Sequence, residues 1–374
     1  MNLEWESIVT RSLGGEALSR EEARAILQLA DERVPEALQA AFEVRKARWG
    51  KRVKICVLQN ARSGLCPEDC HYCSQSSVST ADIQKYRMLP VEQLVEGARG
   101  AQEANAKRYC MVTGGRGPSD ADIEHLCEAA RQIASRYPLE LCVSLGIMSE
   151  EQARRLKDAG IGWVNHNLNT SERFYGEICT THTYQDRIET LRNVKRAGLR
   201  TCSGGIVGMG ETDDDIIDLA YAVRELAIDS VPVNFLHPIA GTPMESHRFL
   251  NPMRCLKVLC LFRFLNPKAD LRAAGGREVN LRSVQALALY PVNSIFVEGY
   301  LTTPGQQAQD AHRMIRDLGF EIESVEREVC GASGGGAGMI PPPAGFRHPI
   351  AQHPLKAKRP ARAGRPTASQ QVGG

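Results

Sequence analysis

The stretch Gly64-Leu-Cys-Pro-Glu-Asp-Cys-His-Tyr-Cys-Ser-Gln75 places three thiols, Cys66, Cys70 and Cys73, within eight residues. Three thiolates spaced x3 then x2 can hold a soft metal centre, but they fill only three of the four corners of a cubane iron–sulfur cluster. An open iron is useful where something small is meant to bind it. A zinc knuckle short of one ligand and a set of thiols packed as small hydrophobes are the other readings of this spacing. No CxxC pair follows downstream, and the balance falls toward a cluster.

What surrounds this stretch sets the fold. It follows the apolar run Val53–Leu58, the first of eight short runs separated by longer helical patterns. The others are Arg108–Thr113, Leu141–Gly146, Gly162–Leu168, Thr201–Val207, Val231–Leu236, Asp270–Ala274 and Asn293–Val297. Ser149-Glu-Glu-Gln152 and Thr212-x-x-Asp215 are helix starts, and Ala159-Gly160 and Ala197-Gly198 are helix stops. Strands alternating with helices pair in parallel through crossovers, and eight of them close economically into a (β/α)8 TIM-type barrel. A doubly wound open sheet is the alternative.

Upstream, residues 19–50 read as two helices, the first opened by Ser19-x-x-Glu22 and the second by Pro35. They form an N-terminal helical cover over residues 1–50. The barrel domain is expected at 51–329. Beyond it, residues 330–374 are rich in Gly and Pro, and Arg347, Lys356, Lys358, Arg359, Arg362 and Arg365 have no acidic residue among them. Such a segment buries too little apolar area to offset ordering entropy, so a disordered basic tail is expected there. A solvated tail is favoured over a nucleic-acid contact.

The near balance of 46 basic and 44 acidic residues says little about partners. The first residues are acidic and lack a basic, apolar leader, and no run of about eighteen apolar residues occurs. A membrane is therefore not expected, and the twelve cysteines read as ligands and core thiols of a cytoplasmic protein.

Barrel enzymes work at the C-terminal ends of their strands. Cys110, Cys142 and Cys202 lie in the second, third and fifth runs, and Arg272 in the seventh. Singly, each cysteine reads as a packed core residue; converging in one lumen, they would be a second metal site. Arg272 reads as an anion binder, because guanidinium stays protonated. Cys56, Cys127, Cys179, Cys255, Cys260 and Cys330 read as structural or incidental.

The triplet, with the aromatic Tyr72 just before its last cysteine, resembles the signature of radical S-adenosylmethionine (SAM) enzymes. That resemblance implies a [4Fe–4S] cluster on Cys66, Cys70 and Cys73, SAM on the open iron and Tyr72 near the adenine. Further stretches are similar to the biotin synthase family: Asn165-His-Asn-Leu-Asn-Thr-Ser171, Phe174-Tyr-Gly176, Thr183-Tyr-Gln-Asp-Arg187, Cys202-Ser-Gly-Gly-Ile-Val-Gly-Met-Gly-Glu-Thr212 and Tyr300-Leu-Thr-Thr-Pro304. The similarity runs from about Lys51 to Gly319. It implies conversion of dethiobiotin to biotin, with sulfur supplied by a [2Fe–2S] cluster held by Cys110, Cys142, Cys202 and Arg272.

The same resemblance assigns SAM and substrate contacts to Asn167, Asn169, Arg187, Ile206 and Asn234. Amides suit a ureido ring, since each offers a donor and an acceptor. Asn169 stands where better-known members carry an aspartate. The Gly204–Gly205 pair is expected to let backbone approach a cofactor. Implied partners are a reducing electron-transfer protein of flavodoxin or ferredoxin type, iron–sulfur assembly proteins and a second copy of the chain in a homodimer. A relative with one cluster, of mutase or hydrogenase-maturation type, is the alternative enzyme.

Overall fold

A computed structural model describes residues 3–323. Eight parallel strand positions close on themselves: β1 (Arg52–Arg62), β2 (Arg108–Thr113), β3 (Glu140–Ser144), β4 (Trp163–Asn165), β5 (Arg200–Cys202) with β6 (Gly205–Val207), β7 (Ser230–Phe235), β8 (Asp270–Ala273) and β9 (Ser294–Phe296). β9 pairs with β1 and completes the barrel. This is the TIM-type (β/α)8 architecture, and closure excludes the open sheet. The tail expected at 330–374 and Cys330 lie outside the described residues.

The helix signals act as their chemistry requires. Ser149 and Thr212 each accept from the backbone N–H of the third helical residue, whose side chain returns the bond. Gly160 and Gly198 end their helices at φ +98° and +75°, a conformation that Cβ-bearing residues rarely take.

Two elements escape the periodicity. A helix at Trp5–Gly14 precedes the expected pair, and a short β10 (Glu321–Ile322) pairs with the start of β1 outside the barrel. The N-terminal helices lie on the helix Pro252–Leu265, where Ser12 donates to the Phe264 carbonyl at 2.8 Å and Lys257 meets Asp31 at 2.6 Å. Covered by the barrel on one side and these helices on the other, Cys255–Leu265 is buried all round. That explains a helix with no polar face.

The run Thr201–Val207 is not one strand. β5 and β6 keep the same register against β7, with Cys202 opposite Ser230 and Gly205 opposite Val233, but the ladder breaks at Ser203–Gly204. There the Gly204 N–H donates to the Asn167 side chain at 3.2 Å, and the Asn169 N–H donates to the Gly204 carbonyl at 3.0 Å. A Cβ on Gly204 would lie 2.0 Å from the Pro232 carbonyl oxygen. The close approach served by this glycine is therefore to the neighbouring strand, not to a cofactor. Gly204→Ala should destabilise the protein by about 1–3 kcal/mol, the usual cost of overpacking. Urea denaturation of the two proteins measures it, and equal midpoints would contradict this account of the break.

Candidate functional site

Alternation along the strands selects which side chains fill the barrel. One cavity of about 380 Å³ runs from the mouth to the deep interior. Of the thirteen candidate site residues, Cys66, Tyr72, Cys73, Cys110, Cys142, Asn167, Asn169, Arg187, Cys202, Ile206, Asn234 and Arg272 line it. Cys70 does not. Its sulfur lies 3.7 Å from that of Cys179.

The thiol loop is pinned from several sides. Asp69 accepts from the backbone N–H groups of Thr180 and Thr181, at 3.0 and 3.2 Å, and the His71 N–H donates to the Ile178 carbonyl at 3.0 Å. The Gly64 N–H donates to Gln75 at 3.0 Å, and Ser74 shares a 2.7 Å hydrogen bond with Thr302. Burial raises the Cys66 thiol, and it pushes Cys73 up to about 11.

Cys179, read from sequence as incidental, is part of this site. It shares a hydrogen bond with Cys70 and lies 3.3 Å from His182 Nδ1. Cys70, Cys179 and His182 are close enough to surround one ion. The hydrogen bonds oppose that use. Arg187 donates to His182 Nε2 at 2.6 Å, so the ring proton sits on Nδ1 and faces Glu68 and Cys179. A metal on Nδ1 would force the proton onto Nε2, against a guanidinium that can only donate.

Arg187 is buried, and its Nη1 donates to the Asn167 carbonyl at 2.8 Å while Nε meets the Tyr175 hydroxyl. Among the described residues no carboxylate pairs with it. A buried, unpaired cation in a cavity wall is matched by an anionic occupant. His166 Nε2 and Thr113 Oγ1 are likewise buried in that wall without partners. Burial keeps His166 neutral, helped by the nearby Arg187 and His182.

The asparagines divide their labour. Asn169, at φ +71°, donates to the Tyr72 hydroxyl at 2.7 Å and so links the thiol loop to the loop after β4. Asn234 is already engaged: it donates to the Gly205 carbonyl at 3.0 Å and accepts from the Gly275 N–H at 2.9 Å. Asn167 accepts from Gly204, as described, and from Asn165 Nδ2 at 3.3 Å. Asn165 was not singled out by sequence, yet its Nδ2 lies 3.2 Å from the Cys202 sulfur. Its position two residues before Asn167, on the same face of the strand run, was the available signal.

The deep end gathers the remaining thiols. Cys110 and Cys142 are register partners on β2 and β3 and pack together against Trp163, over which the Arg108 guanidinium stacks at 3.5 Å. A hydrogen bond between them raises Cys110 and lowers Cys142. Arg272 Nη1 lies 3.8 Å from the Cys202 sulfur. Burial works against the charge of Arg272, but Cys56, Cys202 and Asp270 outweigh it and hold the guanidinium protonated. Asp270 in turn meets Lys54 at 3.3 Å, Arg108 at 3.5 Å and Arg272 at 3.7 Å. Glu140 pairs with Arg108 at 2.9 Å. Three cations over two carboxylates leave the deep end positive, which suits a set of thiolates.

Comparison with known proteins separates the possible identities. Residues 62–221 match the Radical SAM superfamily, and residues 232–321 match the Biotin and Thiamin Synthesis associated domain. The biotin synthase of Bacillus subtilis (strain 168) is 51% identical over 323 residues, covering 86% of this chain and 96% of that protein. The chain belongs to the biotin synthase family. The biotin synthase of Geobacillus kaustophilus is also 51% identical, over 327 residues, covering 87% of this chain and 98% of that protein.

Solved structures show the shared fold. Methylornithine synthase superposes with a TM-score of 0.75 at 19% identity, covering 85% of this chain and 98% of that one. The FeFe-hydrogenase maturase of Carboxydothermus hydrogenoformans gives 0.72 at 19%, covering 86% and 79%. At these identities they carry no argument for the single-cluster alternative over biotin synthase. As a radical SAM sulfurtransferase of the biotin synthase family, the enzyme converts dethiobiotin to biotin, using SAM, a [4Fe–4S] cluster and a [2Fe–2S] cluster. The donor sets fit both clusters: soft thiols, one short of four at the mouth, and three thiols beside a cation at the deep end.

Asp215 holds the loop that carries Asn169. It accepts from Ser171 at 2.6 Å and from Arg173 at 2.9 Å, and it completes the capping box with Thr212. Burial opposes its charge, but Arg173, Ser171 and Thr212 prevail and lower the carboxyl to about 2. Its folded value is below its unfolded one, so its contribution is complete above about pH 4 and is lost as pH falls toward 2. The stability gap between wild type and Asp215→Asn should therefore shrink across that window in denaturant titrations. A gap independent of pH would refute it.

Proposed function

We propose that the two ends of the cavity divide the reaction: Cys66, Cys70 and Cys73 hold the [4Fe–4S] cluster at the mouth, and Cys110, Cys142, Cys202 and Arg272 hold the [2Fe–2S] cluster at the deep end. The observation that carries this reading is the single cavity, lined by thiols at both ends and by Arg187 and the asparagines between. When bound, the clusters and SAM supply the electron, the primary carbon radical and the sulfur atom. Acid–base chemistry alone cannot activate carbons that lack an adjacent carbonyl, and no base is asked to do so.

The chain's own residues position and enclose. Arg187 receives the SAM carboxylate, Tyr72 and Ile206 flank its adenosine, and Asn167, Asn169 and Asn234 border the ureido end of dethiobiotin. Asn169 retains an acceptor in place of a family carboxylate and adds the donor that holds Tyr72. Asn169 is buried and Tyr72 half-buried beside it, which limits water in the region where a carbon radical has to survive.

We further assign the chain to the cytoplasm as a homodimer, reduced by a flavodoxin- or ferredoxin-type protein and loaded by iron–sulfur assembly proteins. Eleven free cysteines among the described residues support a reducing compartment. No described helix is long and apolar enough to cross a membrane. The division into a cover (1–50), a barrel (51–329) and a basic tail (330–374) belongs to the same proposal.

Mössbauer spectra of anaerobically reconstituted protein test the two-cluster assignment. Wild type should show both cluster types, Cys202→Ala only the [4Fe–4S] signal, and Cys66→Ala only the [2Fe–2S] signal. A Cys202→Ala spectrum identical to wild type would sink it. Arg187→Met should raise the KM for SAM by about thirtyfold or more, equivalent to ~2 kcal/mol, while leaving both cluster signals in place. An unchanged KM would remove Arg187 from the SAM site.

A further inference from the structure

Cys56 was read from sequence as structural, but it belongs to the deep end of the cavity. On β1 the residues Lys54, Cys56 and Leu58 alternate inward. Lys54 reaches Asp270, and Leu58 packs on the cluster formed by Cys110, Cys142 and Trp163. Cys56 itself is 1% exposed and lines the cavity. Its sulfur lies 3.5 Å from Ser294 Oγ, and that same hydroxyl accepts from Arg272 Nε at 2.9 Å. On its other side Arg272 meets the Cys202 sulfur at 3.8 Å. The guanidinium is thus set between Cys202, directly, and Cys56, through one hydroxyl.

A guanidinium offers N–H donors and is an unusual partner for iron. A thiol gives up its proton to iron readily, and four thiolates are the ordinary complement of a [2Fe–2S] cluster. We propose that Cys56 is a competent ligand of the deep site, able to complete a four-thiolate set with Cys110, Cys142 and Cys202 when Arg272 does not hold the iron. The proposal rests on the deep site's holding a [2Fe–2S] cluster, and it adds a donor that the family motifs did not point to.

Three reconstituted proteins decide it, compared by iron content and Mössbauer spectra, with the [4Fe–4S] signal and thermal midpoint reporting the fold. Arg272→Ala should keep the [2Fe–2S] cluster, with its two irons now equivalent in all-sulfur surroundings. Arg272→Ala combined with Cys56→Ala should lose that cluster by about tenfold or more while keeping the [4Fe–4S] signal. Cys56→Ser replaces Cys56→Ala in the pair if the alanine pair does not fold. Loss of the cluster in Arg272→Ala alone overturns the proposal, as does a double variant that keeps as much as Arg272→Ala. Wild-type protein with no [2Fe–2S] signal would overturn the deep-site reading itself, and this inference with it.

Discussion

A barrel of parallel strands has to fill its own interior, and here the lower filling is ionic. Asp270 is buried among Lys54, Arg108 and Arg272, and Glu140 shares Arg108 and lies 3.9 Å from Lys54. The buried charges of Lys54, Arg108, Asp270 and Arg272 would not be tolerated alone in such a place; each is retained because the others surround it. The network fixes the direction of Arg272 and the plane of Arg108, and with them the floor on which Cys110, Cys142 and Cys202 rest. Everything above inherits its position from that floor through the strand registers.

The upper end is organised by hydrogen bonds instead. The thiol loop has little regular structure, so its shape comes from side chains that reach backbone groups, Asp69 to Thr180 and Thr181 and Gln75 to Gly64, and from the Asn169 amide on the Tyr72 hydroxyl. The interrupted strand at Ser203–Gly204 serves the same end. Breaking the ladder frees a backbone N–H that fixes Asn167, and the Asn169 carbonyl then takes the Ile206 N–H at 2.8 Å. An irregular strand therefore places Asn167, Asn169 and Ile206 in one wall of the cavity.

Much of this was legible in the sequence because it depends on local chemistry. Strand runs, capping boxes and αL glycines are set by neighbouring residues, and parity along a strand says which side chains share the lumen. The family motifs singled out some of those side chains, and all of these but Cys70 line the one cavity. What stayed hidden depends on partners distant in the chain. Cys56 had the inward parity of Lys54 and Leu58, but nothing in β1 names Ser294 or Arg272 as neighbours. The contact of Cys179 with Cys70 joins residues 109 positions apart. Asn234 looked free for substrate, and only the fold shows its amide committed to Gly205 and Gly275. The short β10 carries too few residues for any period to declare itself.

The charged floor also governs traffic. Lys54, Arg108, Asp270 and Arg272 are all at most 9% exposed, so among the described residues these side chains pack closed across the lower end. Whatever occupies the space beside the deep thiols must come in by the mouth, past Cys66, Tyr72 and Cys73, and leave by the same door. Filling of such a blind-ended chamber follows a queue. The innermost tenant goes in first, and it cannot be renewed until those lodged nearer the entrance have stepped aside.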